Sequence, residues 1–290
     1  GGLPAFARRQ LRDLLNLIWA ATAAEEAGIK FVSGDVLVSV KGGQVIHGGA
    51  PLDLIVQKVE GIQAILFRTV EMLLGRPFRR RGGPAADLQS MFRPWLFQVP
   101  AGSYQFAVRV QEPAQMNFWD ADRPKVDRVT ETFFSVLRAS ATDPGHELPK
   151  VVEDRQYREA FLNLSRNLAP TGKQFEYLEV RDAGSPSEPV ASFAVQTRQQ
   201  LNSVLRDTRA PRTVVTTDEP VTVAGILRAV HLDQDSLEVR SPDAPDTPIR
   251  IDEAGEVLDD VIGPMVNHRV IVTAVRRKNK TLYRDIEMED

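Results

Sequence analysis

The sequence predicts an α+β fold: helices packed on antiparallel sheet, followed by a small β-barrel. Three observations predict it. Helical patterns are twice followed by two adjacent strand patterns, at about 51–111 and 153–195, without the β-α-β alternation a parallel sheet needs. The stretch Thr208–Thr217, containing Ala210-Pro211-Arg212, separates two regions of different texture. Beyond it, five strand patterns and one brief helix fill residues 218–290. The expected organisation is an α+β domain over 1–207, a linker over 208–217 and a barrel over 218–290. A chain of 290 residues suits about two domains.

The elements follow in order. Leu11, Leu14, Leu15, Ile18 and Ala21 fall on one helical face, so an amphipathic helix is expected from Pro4 to Gly28. Arg8, Arg9 and Arg12 ahead of Leu14–Ala21 superficially mimic a signal peptide, but Asp13 and Asn16 interrupt the apolar run. Asp35–Lys41 is apolar on both faces and reads as a buried strand, turned by Gly42-Gly43. Leu52, Ile55, Val59, Ile62, Leu66, Val70 and Leu73 make the strongest helix, expected near a domain centre and stopped at Gly75-Arg76-Pro77. A hairpin spans 91–111, turning at Pro100-Ala101-Gly102, and Pro94 keeps its first arm at an edge or a strand end. Its aromatics, Trp95, Phe97, Tyr104 and Phe106, read as core.

Asp122 and Pro124 open a helix through Val129, Phe133 and Leu137. Another covers about Glu153–Leu168, striped by Tyr157, Phe161 and Leu164. Strands at Gln174–Arg181 and Pro189–Val195 and a helix at Thr197–Leu205 close the first region. The barrel strands are a long one opened by Val221, with Gly225 as a bulge or bend, then Ser236–Arg240, Pro248–Asp252, Arg269–Val275 and Thr281–Met288. A brief helix, Glu256–Ile262, lies between the third and fourth. This element order resembles an OB-type barrel over the C-terminal quarter of the chain, with an SH3-like barrel as the alternative.

Composition narrows the chemistry. With no cysteine, disulfides, thiolate metal sites and a cysteine nucleophile are excluded, and a cytoplasmic setting is expected. Hydrophobic residues at 42% suffice for a core, and no run approaches a membrane span. The net charge of -3 is unevenly divided: 16 acids and 9 bases over 218–290 leave -7, and 23 acids and 27 bases over 1–217 leave +4. The excess of 28 Arg over 8 Lys suggests a GC-rich bacterial genome.

Two basic clusters stand out. Arg76, Arg79, Arg80, Arg81 and Arg93 suit an anion or an acidic partner surface, and Trp119 in its connecting loop suits an interface anchor. Arg276, Arg277, Lys278 and Lys280 sit in the last barrel turn, with Tyr283 as a candidate stacking partner for single-stranded nucleic acid. The glycines around His47 match no phosphate loop, and the histidines show no metal spacing or nucleophile elbow. Asp35, Glu60 and His47 are the residues a fold might gather. No cofactor and no metal is expected. The favoured expectation is a non-catalytic bacterial regulatory, adaptor or inhibitor protein acting through protein–protein contact, in a conflict or stress-response setting. Single-stranded nucleic-acid binding through 76–81 and 276–284 is one alternative, and a small-molecule sensor or cryptic enzyme the other.

Overall fold

The structure is a computed structural model that describes residues 34–45, 49–98, 104–111, 124–208, 219–231, 233–242, 247–254 and 259–289. The helix expected at Pro4–Gly28, His47, the turn at 100–102, Trp119, nearly all of the linker and the start of the helix at 256–262 lie outside the described residues.

The first region is built from β1 (Val36–Lys41), α1 (Leu52–Leu73), α2 (Ala86–Met91), β2 (Arg93–Gln98), β3 (Tyr104–Gln111), α3 (Val126–Thr142), α4 (Leu148–Val151), α5 (Arg155–Leu168), β4 (Tyr177–Asp182), β5 (Ala191–Phe193) and α6 (Val195–Thr208). The strands form one antiparallel sheet in the order β2-β3-β1-β4-β5. β1 is central, and the β2–β3 and β4–β5 hairpins flank it. Val38 pairs with Phe106 on one side and Val180 on the other, so the apolar alternation of three strands falls on one face. Ile62, Ile65 and Leu66 of α1, Phe133 and Leu137 of α3, and Phe161 and Leu164 of α5 join those residues in the core. The hydrophobic effect thus fixes the helical layer on that face.

Local chemistry sets the helix ends. Asp154 caps α5 by accepting from the backbone N–H of Gln156 at 2.7 Å and of Tyr157 at 3.1 Å. After α1, Gly75 takes φ +62°, and the N–H groups of Gly75 and Arg76 donate to the carbonyls of Met72 and Glu71. β2 occupies the sheet edge, as Pro94 requires.

The second region contains β6 (Glu219–His231), β7 (Ser236–Arg240), β8 (Ile249–Asp252), α7 (Asp259–Ile262), a 3₁₀ turn (Gly263–Met265), β9 (Arg269–Arg277) and β10 (Lys280–Met288). The strands close into a barrel in the order β10-β8-β7-β6-β9, with β8 and β10 parallel at Asp252 and Leu282. One expectation is corrected here. The irregularity in β6 lies between Leu227 and Ala229. Gly225 instead marks a close backbone approach, because a Cβ there would stand 2.3 Å from the Arg240 carbonyl oxygen.

The uneven charge now has a structural role. Arg68 of α1, whose side chain is fully buried, donates to both carboxylate oxygens of Asp260 at 2.6 and 3.0 Å. Arg166 of α5, equally buried, donates to Asp285 at 2.8 Å and to the Ile286 carbonyl at 2.7 Å. Arg198 of α6 reaches Glu287 at 3.3 Å. Arginines of the helical layer therefore meet acids of the barrel. Each bidentate or shared fork also satisfies backbone or carboxylate oxygens that burial strips of water.

Candidate functional site

The β2 edge is the most distinctive exposed feature among the described residues. Antiparallel strands need both neighbours to satisfy their backbone groups. Among the described residues β2 pairs only with β3, from Arg93–Gln111 to Gln98–Phe106. Its consecutive side chains Trp95 and Leu96 are 45% and 57% exposed. Successive residues point to opposite faces, so the strand offers apolar surface on both. The expectation that the hairpin aromatics are core holds for Phe106, which is buried, and is corrected for Trp95. The physical reason is position. β2 ends the strand order, and among the described residues it has a neighbouring strand on one side only.

The arginine loop is mostly occupied by carboxylates of the same chain. Arg76 pairs with Asp87 of α2, which raises the arginine and lowers the aspartate from their ordinary values through their mutual hydrogen bonds. Arg79 holds Glu71 at 2.9 Å, lies 3.7 Å from Asp260, and donates to the Gly82 carbonyl. Arg81 pairs with Asp235 in the β6–β7 loop. Arg80 is exposed and takes part in none of these pairs. Arg93 opens β2, and its side chain lies outside the described set. The loop thus fastens α1, α2 and the barrel together.

In the β9–β10 turn, Arg276, Lys278 and Lys280 are exposed and Arg277 is half-buried. Tyr283 is a correction: its side chain belongs to the core cluster, so it offers no open ring for stacking. Its position in β10 explains this, since the barrel closes over the inward-facing residues of that strand.

The sheet face away from the helices carries a charged ladder. Arg109 donates to both oxygens of buried Asp35 at 2.6 and 2.7 Å, which raises the arginine above its ordinary value despite desolvation. Glu179 accepts from Lys41 at 2.7 Å and Arg181 at 2.6 Å. Burial alone would raise the Glu179 carboxyl, but these two bonds more than offset it and hold it below 4.5. A lowered folded-state value contributes stability above pH 4.5 that is lost as pH falls through the lowered value. Glu179→Gln is expected to lower stability by up to about 1 kcal/mol at pH 7, the ladder being partly solvated. Thermal unfolding of both proteins at stepped pH checks this, and the gap should close in acid.

A cleft of about 290 Å³ lies between the start of α1 and the barrel. Asp53, Gln57, Gln174, His268, Arg269 and Glu289 line it together with Leu54, Asn267 and Met288. The arginine loop is not part of it. Asp35 is committed to Arg109, and Glu60 is exposed on α1, so the two are not gathered into a reactive cluster. Among the described residues no group of acidic or histidine side chains is placed to hold a metal ion, and no helix is long and apolar enough to cross a membrane. Comparison with protein-family models, curated proteins and solved structures finds no match.

Sequence reasoning placed β2 at an edge or a strand end but missed Leu96. The available signal was the unbroken run Trp95-Leu96-Phe97 beside a proline, which breaks the alternation of a one-sided strand. It also missed Arg68, Arg166 and Arg198. Their signal was a cation within or beside an apolar helical face, combined with the acidic excess of residues 218–290.

Proposed function

We propose that this chain is a non-catalytic regulatory or adaptor protein that acts through protein–protein contact along the outer edge of β2. One observation carries the reading: two adjacent large apolar side chains, Trp95 and Leu96, stand exposed on an edge strand paired on one side only among the described residues. Such an edge is a ready template for another strand, and the blunting devices of charge and proline are confined in β2 to Arg93 and Pro94 at its start. The exposed Arg80 adds a cation on a loop tied through Arg76 to α2, the helix that leads into β2.

The barrel is read as OB-type. Its order, with the third and fifth strands parallel and a helix between the third and fourth, supports that reading over an SH3-like one. A second function follows from it, single-stranded nucleic-acid binding at the exposed cations Arg276, Lys278 and Lys280.

The test is paired affinity capture from the native host with the wild-type protein and Leu96→Lys as baits, and with the eluates stained for protein and nucleic acid. A discrete protein retained by the wild type and lost with Leu96→Lys is expected. Identical protein patterns from the two baits would contradict the edge reading. Salt-sensitive nucleic acid on both baits would favour the barrel reading.

A further inference from the structure

We infer that the N-terminal segment Pro4–Gly28 seats its apolar stripe on the outer face of the five-stranded sheet, the face opposite α1, α3 and α5. The inference is independent of the reading of the β2 edge.

Register lays out that face. Ala107, Leu37 and Arg181 lie side by side across β3, β1 and β4, and Gln105, Ser39 and Glu179 form the next row. Alternation points them away from Val36, Val38 and Val40, which join the helices in the core. Yet the face is covered. Asp35 is 2% exposed, Ser39 1% and Ala107 0%. The Ser39 Oγ is buried and finds no hydrogen-bond partner among the described residues. On an open sheet face, water would reach that hydroxyl. The charges are paired as covered charges must be: Arg109 holds Asp35, and Lys41 and Arg181 hold Glu179. Since α1, α3 and α5 pack on the opposite side, the cover comes from elsewhere in the chain.

Three arguments select Pro4–Gly28. The first is reach. Only residues 29–33 separate it from Gly34, which leads into the central strand β1. Gly34 takes φ +95° and its N–H donates to Asp182 at 2.9 Å, so the chain turns as it enters the strand. A connection of this length is ordinary between a helix and the strand it feeds. The tether also makes docking intramolecular, at an effective concentration on the order of millimolar.

The second argument is size. As a helix, Leu11 to Ala21 spans about 15 Å. The six residues of β1 span about 20 Å, so the stripe matches the strand beneath it. The third is pattern. Leu11, Leu14, Leu15 and Ile18 offer aliphatic bulk to Leu37 and to the shallow position at Ala107, while Arg9, Asp13 and Asn16 fall on the opposite side. Residues 112–123 are a poorer occupant, because they run from β3 to α3 and so lead toward the helical side.

The test uses the full chain, whose lack of cysteine allows single thiols to be placed. Leu37 is half-buried, and Leu37→Cys should react slowly with a maleimide. Adding Leu14→Asp and Ile18→Asp should speed that reaction by about tenfold or more, as the segment lifts from the face. Leu52→Cys, on a side chain 77% exposed, is the reference and should react fast with or without the two aspartates. Circular dichroism checks that each variant is folded. A second measurement leaves the stripe largely intact: Leu14→Cys with Leu37→Cys should be joined within one chain by a short bismaleimide, and Leu14→Cys with Leu52→Cys should not.

Fast reaction of Leu37→Cys in the otherwise unaltered chain would mean an open face and would overturn the inference. Slow reaction that the aspartates leave unchanged, with no crosslink from Leu14→Cys, would assign the cover to another segment. Crosslinks found only between two chains would assign it to a second copy. Either result would also overturn it, and none of the three would touch the reading of the β2 edge.

Discussion

Arg68→Ala is expected to destabilise the protein by about 3–5 kcal/mol, the cost of breaking a buried ion pair by removing one partner. The Arg68 side chain is fully buried, holds both oxygens of Asp260, and donates to the Arg79 carbonyl. Its guanidinium also lies 4.8 Å from the Phe78 ring centroid. Truncation leaves the Asp260 carboxylate facing a cavity, and Glu71 keeps only Arg79. Asp260→Asn should cost much less, because the amide oxygen still accepts and Arg68 retains Glu71. Urea unfolding followed by circular dichroism measures both. Equal midpoints for Arg68→Ala and wild type would show that the arginine contributes no net docking energy. Two separated transitions in Arg68→Ala would locate the loss at the contact between helical layer and barrel.

The second large effect is expected at Gly225. A Cβ there would lie 2.3 Å from the Arg240 oxygen, 2.8 Å from its carbonyl carbon and 2.9 Å from Val239. Backbone cannot swing aside as a flexible side chain does, so β6 and β7 must part and lose ladder bonds. Gly225→Val should cost about 3 kcal/mol or more, at the upper end of overpacking penalties. Gly263→Ala is the matched control. No atom outside its own neighbours approaches the added carbon, and its effect should lie within about 0.5 kcal/mol. Thermal unfolding of the three proteins decides, and a Gly225→Val curve overlaying the wild type would contradict the barrel packing described above.

The sequence made some of this architecture legible for identifiable reasons. Apolar period fixed α1, α3 and α5, since a three- and four-residue recurrence has one efficient burial solution. The strand pairs were readable because alternation in Tyr104–Val110 shows one buried face, and Pro94 restricts where its strand can sit. The order of strands in the sheet was not readable. Placing β1 between β3 and β4 depends on pairings as distant as Val38 with Val180, which leave no local trace. Gly225 looked like a bulge because a glycine in a strand has several causes, and only the neighbouring strand tells them apart.

The candidate surface was legible in part for a related reason. Arg79 and Arg81 form a conspicuous cluster in sequence, yet the fold supplies Glu71, Asp260 and Asp235 to neutralise them. Charge density in sequence says nothing about which acids arrive from elsewhere. Tyr283 and Trp95 exchanged expectations for the same reason: inward or outward placement of an aromatic depends on whether its strand is enclosed by the barrel or lies at a sheet edge. Leu96 carried no charge or polar group to flag it, only its place in the run Trp95-Leu96-Phe97, and its significance lies in a strand paired on one side only among the described residues.

Amide hydrogen exchange along β2 tests the central claim most directly. The outer amides of Leu96 and Gln98 should exchange fast in dilute protein. They should become protected when captured partner is added, while the amides bonded to β3 stay slow throughout. Fast exchange of Leu96 and Gln98 with partner bound would contradict the account.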